Sequence, residues 1–247
     1  MQKIMTLARR ELSAYFFSPM AYVAAAAFLT IVNVVVLWPQ VLGLEVEALF
    51  RPGAASTLRP LFDVLAYALV IVMPLLTMQL LSEEFHTGTV ETLMTAPVTD
   101  AQVVLGKFTG ALLMYLALLA TTLVYFALVA WFGKPDWGVA GMGYLGMVLL
   151  GALYIAVGLF ASSLTKHLLV AVLVAIGILG LSTGGTYLVT LMLPAERAAV
   201  VSKFSLIDYF GYFTRGVLDS RGVVFFLTAT AFFLFLSVKA LESRRWR

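Results

Sequence analysis

Six apolar runs, each about twenty residues long, follow one another along the chain, and they limit its fold more than any other feature. A run of that length crosses roughly 30 Å of hydrocarbon as an α-helix, the segment that satisfies its own backbone hydrogen bonds where water is absent. The reading is an all-α integral membrane protein with one transmembrane domain over 1–247 and spans at about 19–38, 61–81, 108–132, 140–162, 168–193 and 223–241. A membrane barrel would need ten-residue segments of alternating polarity, and none is present. Charged residues are only 12% of the chain, and no connection exceeds about 30 residues, too few for a separate soluble core.

The same composition excludes several kinds of chemistry. Without cysteine there are no disulfides, no thiolate catalysis and no cysteine metal site. His86 and His167 are isolated, each without a second histidine at ligand spacing or a triad partner. A net charge of +3, concentrated at the two ends, speaks to membrane orientation rather than to nucleic acid. The first run has about 18 residues before it and no convincing signal-peptidase site, so it reads as a retained anchor.

Along the chain, residues 2–17 place Ile4, Leu7, Ala8, Leu12, Tyr15 and Phe16 towards one side and Lys3, Arg9, Arg10 and Glu11 mostly on the other. A helix lying in the headgroup layer and a merely basic flank both fit this pattern. Pro74 marks a kink inside the second span, and the turn Ser163–His167 makes the fourth and fifth spans antiparallel neighbours. Six spans put both termini on one side, which then carries nine of the 16 Lys and Arg residues; the clustering near the first and last spans makes this side cytoplasmic. Between Ala195 and Arg221 the aromatic and charged residues interleave, as in a short amphipathic helix, or a pair, dipping into the outer leaflet; an aromatic belt anchor is the other reading. Gly106 and Gly110 form a GxxxG at the start of the third span, suited to intramolecular helix packing or to a dimer face.

Away from Asp63 and the carboxyl-terminal edge of the last span, the spans contain no Asp, Glu, Lys, Arg or His. Ion-driven carriers need such groups near the midplane, so a carrier of that type is disfavoured. Asn33, Thr121 and Thr122 are the prominent polar groups at depth, suited to hydrogen bonds between helices. No phosphate-cradling GxxxxGK[ST] occurs: Lys107 is followed by Phe108. The chain is therefore expected not to be an enzyme and to hold no cofactor of its own.

One polar stretch breaks the apolar pattern, SEEFHTGTVETLMTAPVTDAQVVLGK over 82–107. Gly88 permits a sharp turn, Thr87 or Thr89 can cap, and Val90, Leu93 and Met94 share a helical face that Glu91 does not. Pro97 ends this helix, and Thr99 with Gln102 forms a capping box that starts the next one outside the membrane.

This stretch resembles the cytoplasmic coupling segment of ABC-2 type permeases, and the carboxyl end, FSLIDYFGYFTRGVLDSRGVVFFLTATAFFLFLSVKALESRRW, resembles the gliding-motility-associated GldF-like subgroup. The likeness implies a type V exporter fold with an amino-terminal interface helix at 2–17, a coupling segment at 83–97 and outer gate helices at 201–219, re-entrant between spans 5 and 6. It implies ATPase contacts at Glu83, Glu84, Thr87, Gly88, Thr89, Val90, Glu91, Leu93, Met94 and Pro97. Phe204, Tyr209, Phe210, Phe213 and Arg215 would form the outer gate. The implied partners are cytoplasmic ABC ATPase subunits carrying ATP and magnesium, a second permease copy or paralogue, and an accessory membrane protein, all in a bacterial inner membrane. Two functions follow from the resemblance: a translocation pathway driven by those ATPases, or a mechanotransmission module that moves an accessory protein without cargo flux.

Overall fold

The computed structural model describes residues 2–37, 55–56, 59–89, 98–132, 134–185, 192 and 205–245. Helix α1 (Gln2–Phe17) is separated from α2 (Pro19–Leu37) by Ser18 alone, and the chain bends there by 77°. Pro19 accounts for the break, since its ring suits the first turn of a new helix and disfavours helical geometry at the residue before it. Helices α3 (Arg59–Thr77) and α4 (Gln79–Thr87) form one rod interrupted at Met78, and α5 (Asp100–Thr121) and α6 (Leu123–Phe132) form another interrupted at Thr122. Then come α7 (Trp137–Leu164), α8 (Leu168–Gly180) with a π-helical turn at Leu181–Gly185, α9 (Leu206–Thr214) and α10 (Ser220–Arg245). A two-residue parallel bridge pairs Ala55 with Lys134 and Ser56 with Pro135.

Among the described residues, five rods are long and apolar enough to cross a membrane: Arg59–Thr87, Asp100–Leu128, Trp137–Leu164, Leu168–Gly185 and Ser220–Ser243. The bent α1–α2 pair adds a sixth only if it is counted as one span. Of the expected fifth span, residues 186–191 and 193 lie outside the described residues.

Helix α7 sits at the centre, against α3, α5, α8, α9 and α10, and glycines let its neighbours come close. A Cβ on Gly143 would stand 2.2 Å from the Phe62 ring, one on Gly151 2.1 Å from the Tyr115 ring, and one on Gly158 2.0 Å from the Thr77 hydroxyl. These neighbours cannot step aside. Tyr115, Phe62 and Thr77 are fully buried, and the Tyr115 hydroxyl donates to the Met147 carbonyl at 2.8 Å. The opposite holds in α8, where Gly177 and Gly180 face open space.

The α3–α4 rod runs through Pro74 and is interrupted four residues later, at Met78, where α7 satisfies the backbone groups. Ser162 Oγ accepts from the N–H groups of Leu81 and Ser82, both at 2.9 Å, and donates to the Met78 carbonyl at 3.1 Å. Backbone groups freed by the interruption are thus satisfied inside the protein, where lipid could not do it. The polar side chains at depth also join helices: Tyr125 donates to Asn33 at 2.8 Å, and the Thr122 and Tyr144 hydroxyls lie 3.1 Å apart. Thr121 instead bonds back to the Leu118 carbonyl of its own helix.

Overpacking a rigid site of this kind costs roughly 1–3 kcal/mol. Gly151→Ala is expected to lower the melting temperature of the purified protein measurably, whereas Gly177→Ala leaves it unchanged or raises it; thermal unfolding in detergent checks both.

Candidate functional site

A lysine at the end of a membrane helix ordinarily extends into the headgroups, but Lys107 is only 2% exposed. Its position follows from the glycines around it. On α5, Gly106 and Gly110 bring α1 close enough that a Cβ on either would stand 2.7 Å from the Cβ of Leu7 or Glu11. The backbone contact traps Lys107 between helices, and two carboxylates meet it: Lys107 Nζ donates to Glu11 Oε1 of α1 at 3.1 Å and to Glu84 Oε1 of α4 at 2.8 Å. Both carboxylates are mostly buried, with side chains 12% and 15% exposed. The other Glu84 oxygen, Oε2, is buried without a hydrogen-bond partner.

Further bonds hold α1 against the α3–α4 rod. Tyr15 donates to the Leu76 carbonyl at 3.1 Å and Ser18 donates to Gln79 Oε1 at 2.8 Å. Both acceptors flank Met78, so α1 is fastened to each side of the interruption. At its other end α4 stops at Gly88, whose φ of 73° places it in the left-handed region that glycine tolerates without strain. Thr87 donates to the Glu83 carbonyl at 2.9 Å, and its hydroxyl lies 2.9 Å from that of Thr89. Helix α5 opens with the expected capping box: Thr99 Oγ1 accepts from the Gln102 N–H and Gln102 Oε1 accepts from the Thr99 N–H, each at 3.3 Å.

Of the residues expected to meet an ATPase, Glu83, Thr87, Gly88 and Thr89 are exposed, and Glu84 is turned inward to Lys107. Val90, Glu91, Leu93, Met94 and Pro97 lie outside the described residues, and with them most of the expected coupling helix. Gly106 and Gly110 pack within the chain, on α1. Of the expected outer gate, Phe204 lies outside the described residues, Phe210 and Phe213 are buried, and Tyr209 stacks on Phe225 with ring centroids 4.7 Å apart. Arg215 is exposed, and the described part of 201–219 contributes one helix, α9. Among the described residues no group of three acidic or histidine side chains could hold a metal ion.

In the sequence Lys107 is one of the nine basic residues on the side of the termini, and nothing in that count marks it as buried. A signal was present: a lysine directly after the first glycine of a GxxxG is drawn towards whatever helix the glycines admit, and acidic residues stand at 11 and 84.

This arrangement, apolar rods joined at one end by a buried ion cluster, defines a multi-pass membrane protein. The chain belongs to the family described as ABC-2 family transporter protein, which it matches over residues 48–220. Comparison with curated proteins finds no match. Members of the family are non-catalytic membrane subunits of ABC transporters and normally work with ABC ATPase subunits.

Removing one partner of a buried ion cluster typically costs 3–5 kcal/mol, because the charges left behind are unpaired. Lys107→Met is expected to destabilise the protein by about that amount. Adding Glu11→Gln and Glu84→Gln should restore most of it, since the triple variant buries no charge, and chemical or thermal unfolding of the single and triple variants reads the difference.

Proposed function

We propose that the chain is the permease subunit of an ATP-driven ABC transporter, a dimer of two copies or of paralogues that forms a translocation pathway and is moved by separate ATPases. The carrying observation is the Glu11–Lys107–Glu84 cluster, which fastens α1, α4 and α5 into one body just where the chain leaves and re-enters the 83–97 segment. A push received there passes to three helices together. The segment would dock on the ATPase through the apolar face of Val90, Leu93 and Met94 and the carboxylates of Glu83 and Glu91, and α1 serves as the interface helix beside it. ATP and magnesium belong to the partner subunits.

The remaining finer points rest on the same reading. Both termini are cytoplasmic in a bacterial inner membrane, α9 forms part of the outer gate, and the likeness of the carboxyl end favours a type V fold of the GldF-like subgroup. Apolar surface remains for lipid and a second copy: in the most apolar window of α10 only 11% is buried.

The test is ATPase activity of the reconstituted complex. Glu91→Lys and Leu93→Asp are each expected to reduce permease-dependent ATP hydrolysis at least tenfold while leaving the permease folded. Wild-type stimulation in both variants would remove the coupling role from this segment.

A further inference from the structure

At the end of the bundle opposite Lys107, about twenty residues away along the α3–α4 rod and so roughly 30 Å at 1.5 Å per residue, lies a cavity of about 730 Å³. Its volume falls in the range of small-molecule sites. The walls carry three guanidinium groups, from Arg59, Arg215 and Arg221, and three carboxylates, from Asp63, Asp208 and Asp219. Three tyrosines, Tyr67, Tyr209 and Tyr212, line the same space.

These charges are balanced in number and only partly engaged with one another, Asp63 feeling Arg215 as well as Arg59. Among the described residues the one ion pair in the cavity is Arg59 with Asp63, a loose contact of 3.7 Å between half-exposed side chains one helical turn apart. Arg215 and Arg221 form no ion pair among the described residues, and neither does Asp208. The scaffold beneath them is nonetheless fixed. Helix α9 ends at Gly216, φ 78°, with the N–H groups of Gly216 and Val217 bonded to the carbonyls of Phe213 and Tyr212 at 3.0 Å. The Asp219 carboxylate caps α10 by accepting from the Arg221 N–H at 2.9 Å, and stacking on Phe225 fixes the Tyr209 ring.

We infer that this cavity binds a zwitterion that carries a phosphate and an ammonium group. Guanidinium groups recognise phosphate by paired hydrogen bonds, carboxylates recognise ammonium, and tyrosine faces add attraction for the cation. A purely anionic ligand would leave Asp63 and Asp208 repelling it, and a purely cationic one would meet Arg215 and Arg221. The same chemistry is found in a lipid headgroup and in a free phosphoamine. The assignment does not rest on coupling to an ATPase, and the isolated chain suffices to test it.

The full-length protein in detergent is titrated calorimetrically with dihexanoyl-phosphatidylethanolamine, dihexanoyl-phosphatidylglycerol and soluble phosphoethanolamine. Saturable binding of the zwitterionic lipid, at least about tenfold tighter than that of phosphatidylglycerol, is expected. Binding of phosphoethanolamine as well assigns a soluble ligand; binding of the lipid alone assigns a headgroup. Two variants locate the site. Gly211 lines the cavity with open space where its Cβ would be, so Gly211→Trp fills the cavity without a clash, and Arg215→Gln removes one phosphate donor. Each is expected to weaken binding about tenfold or more, with unchanged elution on gel filtration. Equal affinity for phosphatidylglycerol, absence of saturable zwitterion binding, or wild-type affinity in Arg215→Gln overturns the assignment.

Discussion

The architecture depends on one ammonium group held between two carboxylates from different helices. Lys107 brings a single positive charge to a place that water hardly reaches, and Glu11 and Glu84 bring two negative ones. Such a cluster adds little net stability over an apolar replacement, because desolvation offsets most of the attraction. What it adds is direction: apolar helices can slide over one another at small cost, whereas a buried charge tolerates only the arrangement that pairs it. The cluster therefore specifies how α1 sits against α4 and α5, and the glycines at 106 and 110 let the helices approach closely enough to form it.

Much of this was legible in the sequence, for identifiable reasons. Long apolar runs have few structural options in lipid, so the helical character of the runs that form α3, α5, α7, α8 and α10 could be read, but not where each helix stops. Capping chemistry is local, and the Thr99–Gln102 box could be read from spacing alone. Pro74 predicted a kink, but the helix runs on through it and is interrupted four residues later, at Met78. The site was harder to read because its partners are remote: Glu11 and Lys107 are 96 residues apart, and the GxxxG beside Lys107 announces a close helix without saying which one. Glycine posed a similar difficulty. Gly143, Gly151 and Gly158 on α7 receive large side chains, while Gly177 and Gly180 on α8 receive none, and only the neighbouring helices decide which is which.

That contrast divides the bundle mechanically. At Gly143, Gly146, Gly151 and Gly158 of α7 the close approaches are filled, and overfilling would force buried side chains to move. Around α8 the packing is sparse among the described residues: 28% of its apolar stretch is buried, and in the π-helical turn Leu181–Gly185 Gly184 faces open space. A tightly packed centre and a loosely packed flank therefore coexist within one chain.

Ser162 gives this rigidity a different character at one point. In an unbroken helix the backbone N–H groups of Leu81 and Ser82 would be tied to carbonyls of the preceding turn, and tilting α4 against α3 would break those bonds in a medium that offers no substitutes. Here a hydroxyl on the neighbouring helix holds both N–H groups and the Met78 carbonyl. A hydroxyl turns about its own bond and accepts over a broad arc, so one side chain serves all three groups at once. The interruption thus works as a mortise: the break in one helix is seated on α7, and no backbone group is left stranded there.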